Sequence, residues 1–142
     1  MQQAAIDGWL KQFLAHHGGI AGTAHVRRVD ELVLAASVNI PPPVVRATER
    51  IPKGKGMAGL AWERDKPVSV CNLATDSSGD VRPGAKAVDA QSAIAIPVRS
   101  NGELIAVVGI AFLGERDFDD AALSGFERAA QGFAELAQSN DL

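Results

Sequence analysis

The segment Gly54-Lys55-Gly56-Met57-Ala58-Gly59 contains three closely spaced glycines and limits which folds the chain can adopt. Its spacing matches G-x-G-x-x-G, which binds dinucleotides when it follows a buried parallel strand and opens a helix. The residues before it include prolines at positions 41, 42, 43 and 52. Because proline cannot donate a hydrogen bond within a sheet, those residues cannot form a central parallel strand. We therefore expect the glycines to begin a short helix and not a nucleotide site.

Composition and charge exclude several classes of protein. The 142 residues are 46% hydrophobic and 22% charged, which is ordinary for a soluble globular domain. The net charge is −3 and the basic residues are scattered, so we expect no nucleic acid and no membrane partner. The single cysteine fits a reducing compartment. No secretory signal or long apolar run is visible, so we expect a cytoplasmic protein with one domain over residues 1–142.

Periodic apolar residues predict helices at both ends of the chain. Ile6, Leu10 and Phe13 lie on one helical stripe that Gly18-Gly19 would end. A final helix is predicted over residues 117–137, where Asp119 and Asp120 suit the positive end of the helix dipole.

Apolar runs between these helices predict strands over residues 20–28, 32–38, 67–73, 93–99 and 104–112. Asn101-Gly102 predicts a hairpin between the last two, and the apolar run over 104–112 indicates a central strand. Residues 39–53 are predicted to be irregular, 57–63 to form a short helix, and 74–89 to form a long polar loop. This order indicates an α+β fold with a mostly antiparallel sheet of five or six strands.

Two parts of the chain resemble the GAF domain family. Residues 56–68 follow its pattern of two glycines three positions apart, seven further residues, and then Pro-Val. Residues 94–98 (Ile-Ala-Ile-Pro-Val) and 106–110 (Ala-Val-Val-Gly-Ile) resemble its closing hairpin. The resemblance implies a sheet with the N- and C-terminal helices on one face. On the other face, the short helix and the long loop would cover a ligand pocket.

The resemblance also implies a stand-alone, small-molecule-sensing regulatory domain without catalytic activity. Strand alternation would then place Gly22, Ala24 and Val26 under the terminal helices, and Thr23, His25 and Arg27 toward the pocket. The polar loop over a floor of small residues favours a small polar metabolite as the ligand. The sequence identifies no cofactor and predicts no metal site.

The predicted ligand-binding residues are His25, Asn72, Asp76, Asp80 and Arg82. Four of them have a structural alternative. His25 would otherwise be a half-exposed strand residue, the two aspartates would cap turns through their own side chains, and Arg82 would be solvated. If Arg82 does bind the ligand, its planar guanidinium suits a carboxylate.

Cys71 supports an alternative function. Free methionine sulfoxide reductases are an enzymatic branch of the GAF family, and they pass a disulfide among several cysteines. This chain has one thiol, so such an enzyme would need an external thiol to complete the reaction. The simpler interpretation is that Cys71 lies inside a strand as a small buried apolar residue.

A third hypothesis is a dimerisation or partner-binding module with no ligand. Ala122, Ala129 and Leu136 give the final helix a second apolar edge, and related domains dimerise through their terminal helices. We therefore expect a homodimer that regulates a separate effector protein. The alternative is that these edges only complete the core of one chain.

Overall fold

The computed structural model describes residues 2–72 and 90–138. Its helices are α1 (Gln2–His17), α2 (Pro42–Ala47), α3 (Gly56–Arg64), α4 (Asp120–Ala130) and α5 (Ala134–Ala137), with a 3-10 turn over Gln131–Phe133 between the last two. Its strands are β1 (Ala21–Arg28), β2 (Glu31–Val38), β3 (Arg50–Pro52), β4 (Val68–Val70), β5 (Ser92–Ser100) and β6 (Glu103–Phe112).

The six strands form one sheet in the order β3-β2-β1-β6-β5-β4, and every neighbouring pair is antiparallel. This confirms the predicted α+β class and the central position of the strand over residues 104–112. Asn101 and Gly102 have φ values of 54° and 78°, as expected for a two-residue hairpin turn between β5 and β6.

The two faces of the sheet are covered differently. Helices α1, α4 and α5 pack on one face, around a large core that includes Leu10, Phe126 and Phe133. Helix α3 packs on the other face, where Trp62 and Ala61 contact a smaller core. This arrangement confirms the expected placement of both terminal helices on one face and of the short helix on the opposite one.

Three predicted element boundaries were wrong. Residues 39–53 contain helix α2 and strand β3, because prolines are well tolerated in the first turn of a helix, where the missing N–H has no partner to lose. The final helix begins at Asp120, because the Oδ1 atom of Asp119 caps it by accepting a 2.8 Å hydrogen bond from the backbone N–H of Ala122. Strand β4 ends at Val70, which leaves Cys71 outside the sheet.

Within residues 2–72 and 90–138, no helix has the length and apolar character needed to cross a membrane.

Candidate functional site

A cavity lies on the face of the sheet that α1, α4 and α5 leave uncovered, and its floor consists of small residues from three adjacent strands. Residues of β5, β6 and β1 pair across the sheet in two rows, Ala93–Ala111–Ala21 and Ala95–Gly109–Thr23. All six line the cavity. Because alternate residues of a strand point to the same face, these short side chains leave space where larger ones would fill it. The cavity therefore lies directly above this part of the sheet.

The cover of the cavity comes from α2, β3 and the start of α3. The cavity has a volume of about 300 Å³, which lies at the small end of the range for ligand pockets. Its walls are mostly apolar and include Ile40, Val44, Ile51 and Met57. Helix α2 has no buried residue, so it lies over the cavity as a thin cover and not as part of a core.

The three glycines turn the chain from β3 into α3. The backbone N–H of Gly54 donates to the carbonyl of Gly59 across 2.9 Å, and Gly54 has a φ of 84°. A Cβ atom on Gly59 would lie 2.6 Å from the carbonyl oxygen of Pro52. The glycines therefore form a tight turn that a backbone hydrogen bond between Gly54 and Gly59 closes. The strand before them is a short antiparallel edge strand and not the central parallel strand that precedes the glycines of a dinucleotide-binding unit.

His25 is the most informative polar group in the cavity wall. It lies on β1 in the row beside the small residues, paired with Val107 of β6. Its side chain is only 2% exposed, and its Nε2 atom lies 2.8 Å from the carbonyl oxygen of Thr48 at the end of α2. The other ring nitrogen, Nδ1, is buried, and no described protein group hydrogen-bonds to it. Burial lowers the pKa of His25, and the hydrogen bond to Thr48 opposes this effect only in part.

The side-chain orientations predicted for β1 are confirmed for Thr23 and His25, but Arg27 does not line the cavity. Thr23 and His25 both line the cavity, while Ala24 and Val26 belong to the core under the terminal helices. Arg27 lies beyond the cavity, with its guanidinium 5.3 Å from the centre of the Trp62 ring. His25 is buried, so the alternative of a half-exposed strand histidine was wrong.

The other predicted site residues lie away from the cavity or outside the described residues. The Nδ2 atom of Asn72 donates to Oε1 of Glu115, and Asn72 does not line the cavity. Cys71 is exposed, so the interpretation of a buried strand cysteine was wrong, because β4 ends one residue earlier. Asp76, Asp80 and Arg82 lie outside the described residues, and their role as ligand contacts stays a prediction.

Three polar or flexible residues of the cavity were not predicted from the sequence: Thr48, Lys55 and Met57. Thr48 caps the C-terminal end of α2, and this helix was not predicted because its first residues are prolines. Lys55 and Met57 flank the start of α3, and the resemblance to the GAF pattern, which places this helix over the pocket, was the available signal for them. Over residues 2–72 and 90–138, no group of three or more His, Cys, Asp or Glu residues is placed to hold a metal ion.

A comparison with protein-family models matches the GAF domain model to residues 10–136. The chain belongs to the GAF domain family. A comparison with curated protein sequences gives no significant match.

Several solved GAF-fold structures are similar to this GAF domain. A type II free methionine-R-sulfoxide reductase from Thermoplasma acidophilum is 19% identical, with a TM-score of 0.75 over 96% of this chain and 92% of that one. The GAF domain of a phosphoenolpyruvate-protein phosphotransferase from Coxiella burnetii is 22% identical, with a TM-score of 0.73 over 96% of this chain and 80% of that one. A free methionine-R-sulfoxide reductase from Neisseria meningitidis, solved with its substrate, is 21% identical, with a TM-score of 0.71 over 97% and 80%. At these identities the likeness establishes the fold alone.

Proposed function

We propose that this GAF domain is a sensory domain that binds a small molecule in the cavity between the sheet and helices α2 and α3. The observation that carries the proposal is the two rows of glycine, alanine and threonine across β5, β6 and β1. A sheet face that only packs against its own helices is normally filled to the density of an organic crystal. Here the small residues maintain a cavity of about 300 Å³ instead.

The walls of the cavity favour a ligand with an apolar body. Transfer of apolar surface from water onto Ile51, Met57 and the alanine rows is favourable by about 25 cal/mol per Å². The prediction of a polar metabolite was drawn mainly from residues 74–89, which lie outside the described residues. It remains a proposal for the part of the ligand that does not contact the apolar walls.

Replacement of Ala111 by leucine tests the proposal. Leucine at this position would occupy cavity volume, so ligands should no longer bind, while the free energy of unfolding should stay equal or rise by up to about 2 kcal/mol. The control is Ala121→Leu, the same change at an exposed position of α4. We expect a thermal-shift screen of small metabolites to find compounds that raise the Tm of the wild type and of Ala121→Leu but not of Ala111→Leu.

Two results of that screen would contradict the proposal. In one, no compound in a broad panel stabilises the wild-type protein. In the other, the compounds that stabilise it raise the Tm of Ala111→Leu equally, which would place their binding site elsewhere.

A thiol-dependent reductase is the alternative function, and it is favoured by the likeness to free methionine-R-sulfoxide reductases. The thiol of Cys71 is exposed, as such a reaction requires, but Cys71 does not line the cavity. With one cysteine in the chain, an external thiol would have to resolve the oxidised enzyme. The cavity and the thiol are thus separate features, which supports ligand binding over this alternative.

We also propose that the domain forms a homodimer through its terminal helices and acts on a separate effector protein. Both terminal helices lie on one face, and Trp9, Ala129 and Leu136 on them are only partly buried. A ligand changes the state of such a dimer only if it binds two arrangements with different affinity.

A further inference from the structure

The hydrogen bond to Thr48 fixes which nitrogen of His25 carries the proton. A carbonyl oxygen only accepts hydrogen bonds, so Nε2 must be the protonated nitrogen in the 2.8 Å contact. The neutral ring then presents Nδ1 as a lone-pair acceptor. Because the pKa of His25 is lowered by burial, the neutral form is the one present at neutral pH.

No group in the described part of the chain donates a hydrogen bond to Nδ1. A buried acceptor without a partner costs roughly 1–3 kcal/mol, and native proteins contain few of them. His25 also lines the cavity, and most of the other residues that line it are apolar. Lys55 is the other ionisable side chain among the described cavity residues, and it is exposed and thus lies toward solvent.

We propose that the ligand of this cavity carries an uncharged O–H or N–H group that donates a hydrogen bond to Nδ1 of His25. This inference rests on the proposed function, since it needs a ligand in the cavity. It specifies a ligand class: a compact, mostly apolar molecule with one donor group directed at β1. A carboxylate or phosphate at this position would face a lone pair in an apolar wall, where an unpaired anion is strongly disfavoured.

Indole and indene provide a matched pair of probes. They have nearly the same shape, but indole carries an N–H where indene carries a CH₂ group. We expect indole to bind the wild-type protein roughly three- to tenfold more tightly than indene, the range for one hydrogen bond in a buried site. Titration calorimetry or ligand-observed NMR would give both affinities.

Two further measurements locate the effect at His25. In His25→Phe, which keeps a ring but removes the acceptor, indole and indene should bind equally. If that variant does not fold, long-range ¹H–¹⁵N spectra of the wild-type protein decide the question. Indole should move the Nδ1 resonance upfield as it gains a hydrogen bond, and indene should leave it unchanged.

The outcomes separate this inference from the proposed function. If neither probe binds the wild type, the ligand class named here is overturned, while the screen of metabolites still decides the proposed cavity function. If both probes bind Ala111→Leu as tightly as the wild type, they bind outside the cavity, and this inference fails as well. If both bind in the cavity with equal affinity and Nδ1 does not respond, ligand binding stands and the role of His25 as an acceptor is overturned. Tighter binding of indole that persists unchanged in His25→Phe would also overturn it.

Discussion

At the scale of single residues, His25 shows what alternation in a strand predicts and what it leaves open. The period of two along β1 placed its side chain on the face opposite Ala24 and Val26, and the structure has it there. Its almost complete burial depends on α2, because the carbonyl of Thr48 lies against the ring. No pattern in the sequence predicted α2, so the burial and the unpaired Nδ1 atom were not predictable.

The lowered pKa of His25 predicts a pH dependence of stability. In the unfolded chain the ring has its ordinary pKa of 6.5, and in the folded chain the pKa is lower, because burial disfavours the charged form. The unfolded state therefore binds more protons below pH 6.5, and the contribution of neutral His25 is fully present above that pH and lost as the pH falls. Between pH 7.5 and 5.5 the protein should therefore lose stability through this group, by no more than about 1.4 kcal/mol, the limit reached if the buried ring stays neutral throughout.

His25→Gln provides the measurement, because glutamine can still donate to Thr48 but does not titrate. Urea unfolding at both pH values should show a smaller loss of stability for the variant than for the wild type. His17 also has a lowered pKa, from burial and from the charges of His16 and Arg116, but it is present in both proteins and cancels. Equal pH dependence of the two proteins would show that His25 titrates normally.

At the scale of elements, the glycine segment is where local sequence determines local structure most directly. Gly54 and Gly56 have φ values of 84° and 64°, which side chains rarely allow, and Gly59 lies against the backbone of Pro52. This turn directs the start of α3 over the cavity, so Met57 and Ala58 become part of its cover. The same three glycines that suggest a phosphate-binding loop serve here to close a turn.

Two glycine-to-alanine variants should therefore change stability in opposite directions. In Gly59→Ala the new Cβ would lie 2.6 Å from the Pro52 carbonyl oxygen, so backbone must move, at a cost of about 1–3 kcal/mol. In Gly8→Ala, inside α1, the Cβ meets no atom within 4 Å, and the helix should gain about 0.5–1 kcal/mol. Urea unfolding of both variants measures these changes. If Gly59→Ala left the free energy of unfolding unchanged, the backbone of the turn would be able to move away from the new Cβ without cost.

At the scale of the whole molecule, Arg99 connects the layers on the two faces of the sheet. From β5, its Nε atom donates to Oδ1 of Asp65 at the end of α3 across 2.9 Å, and its Nη1 atom donates to Oε2 of Glu127 in α4 across 2.9 Å. Arg99 thus contacts both α3, which covers the cavity, and α4, which belongs to the proposed dimer face. It joins the two layers through direct hydrogen bonds.

The proposed homodimer is tested by size-exclusion chromatography with light scattering at tens of micromolar protein. We expect a mass twice the 14.9 kDa of the chain. Leu136→Glu would place a charge on the partly buried edge of α5 and should shift the mass toward that of one chain, because an unpaired charge is disfavoured in an apolar interface. Gln138, at the end of the same helix, gives the control Gln138→Glu. A monomer at this concentration in the wild type would refute the dimer.

The sequence by itself determined the fold class, the hairpin at Asn101-Gly102, the terminal helices and the short helix that begins at the glycines. These features depend on periodicity and on backbone preferences of residues close together in the chain. The cavity was decided only by tertiary structure, because its floor exists through the pairing of Ala93, Ala111 and Ala21 from strands far apart in sequence. The tautomer of His25 follows from a contact with Thr48, 23 residues away. Alternation along a strand predicts which face of the sheet a side chain lies on. The residues that it contacts there depend on how distant parts of the chain pack together.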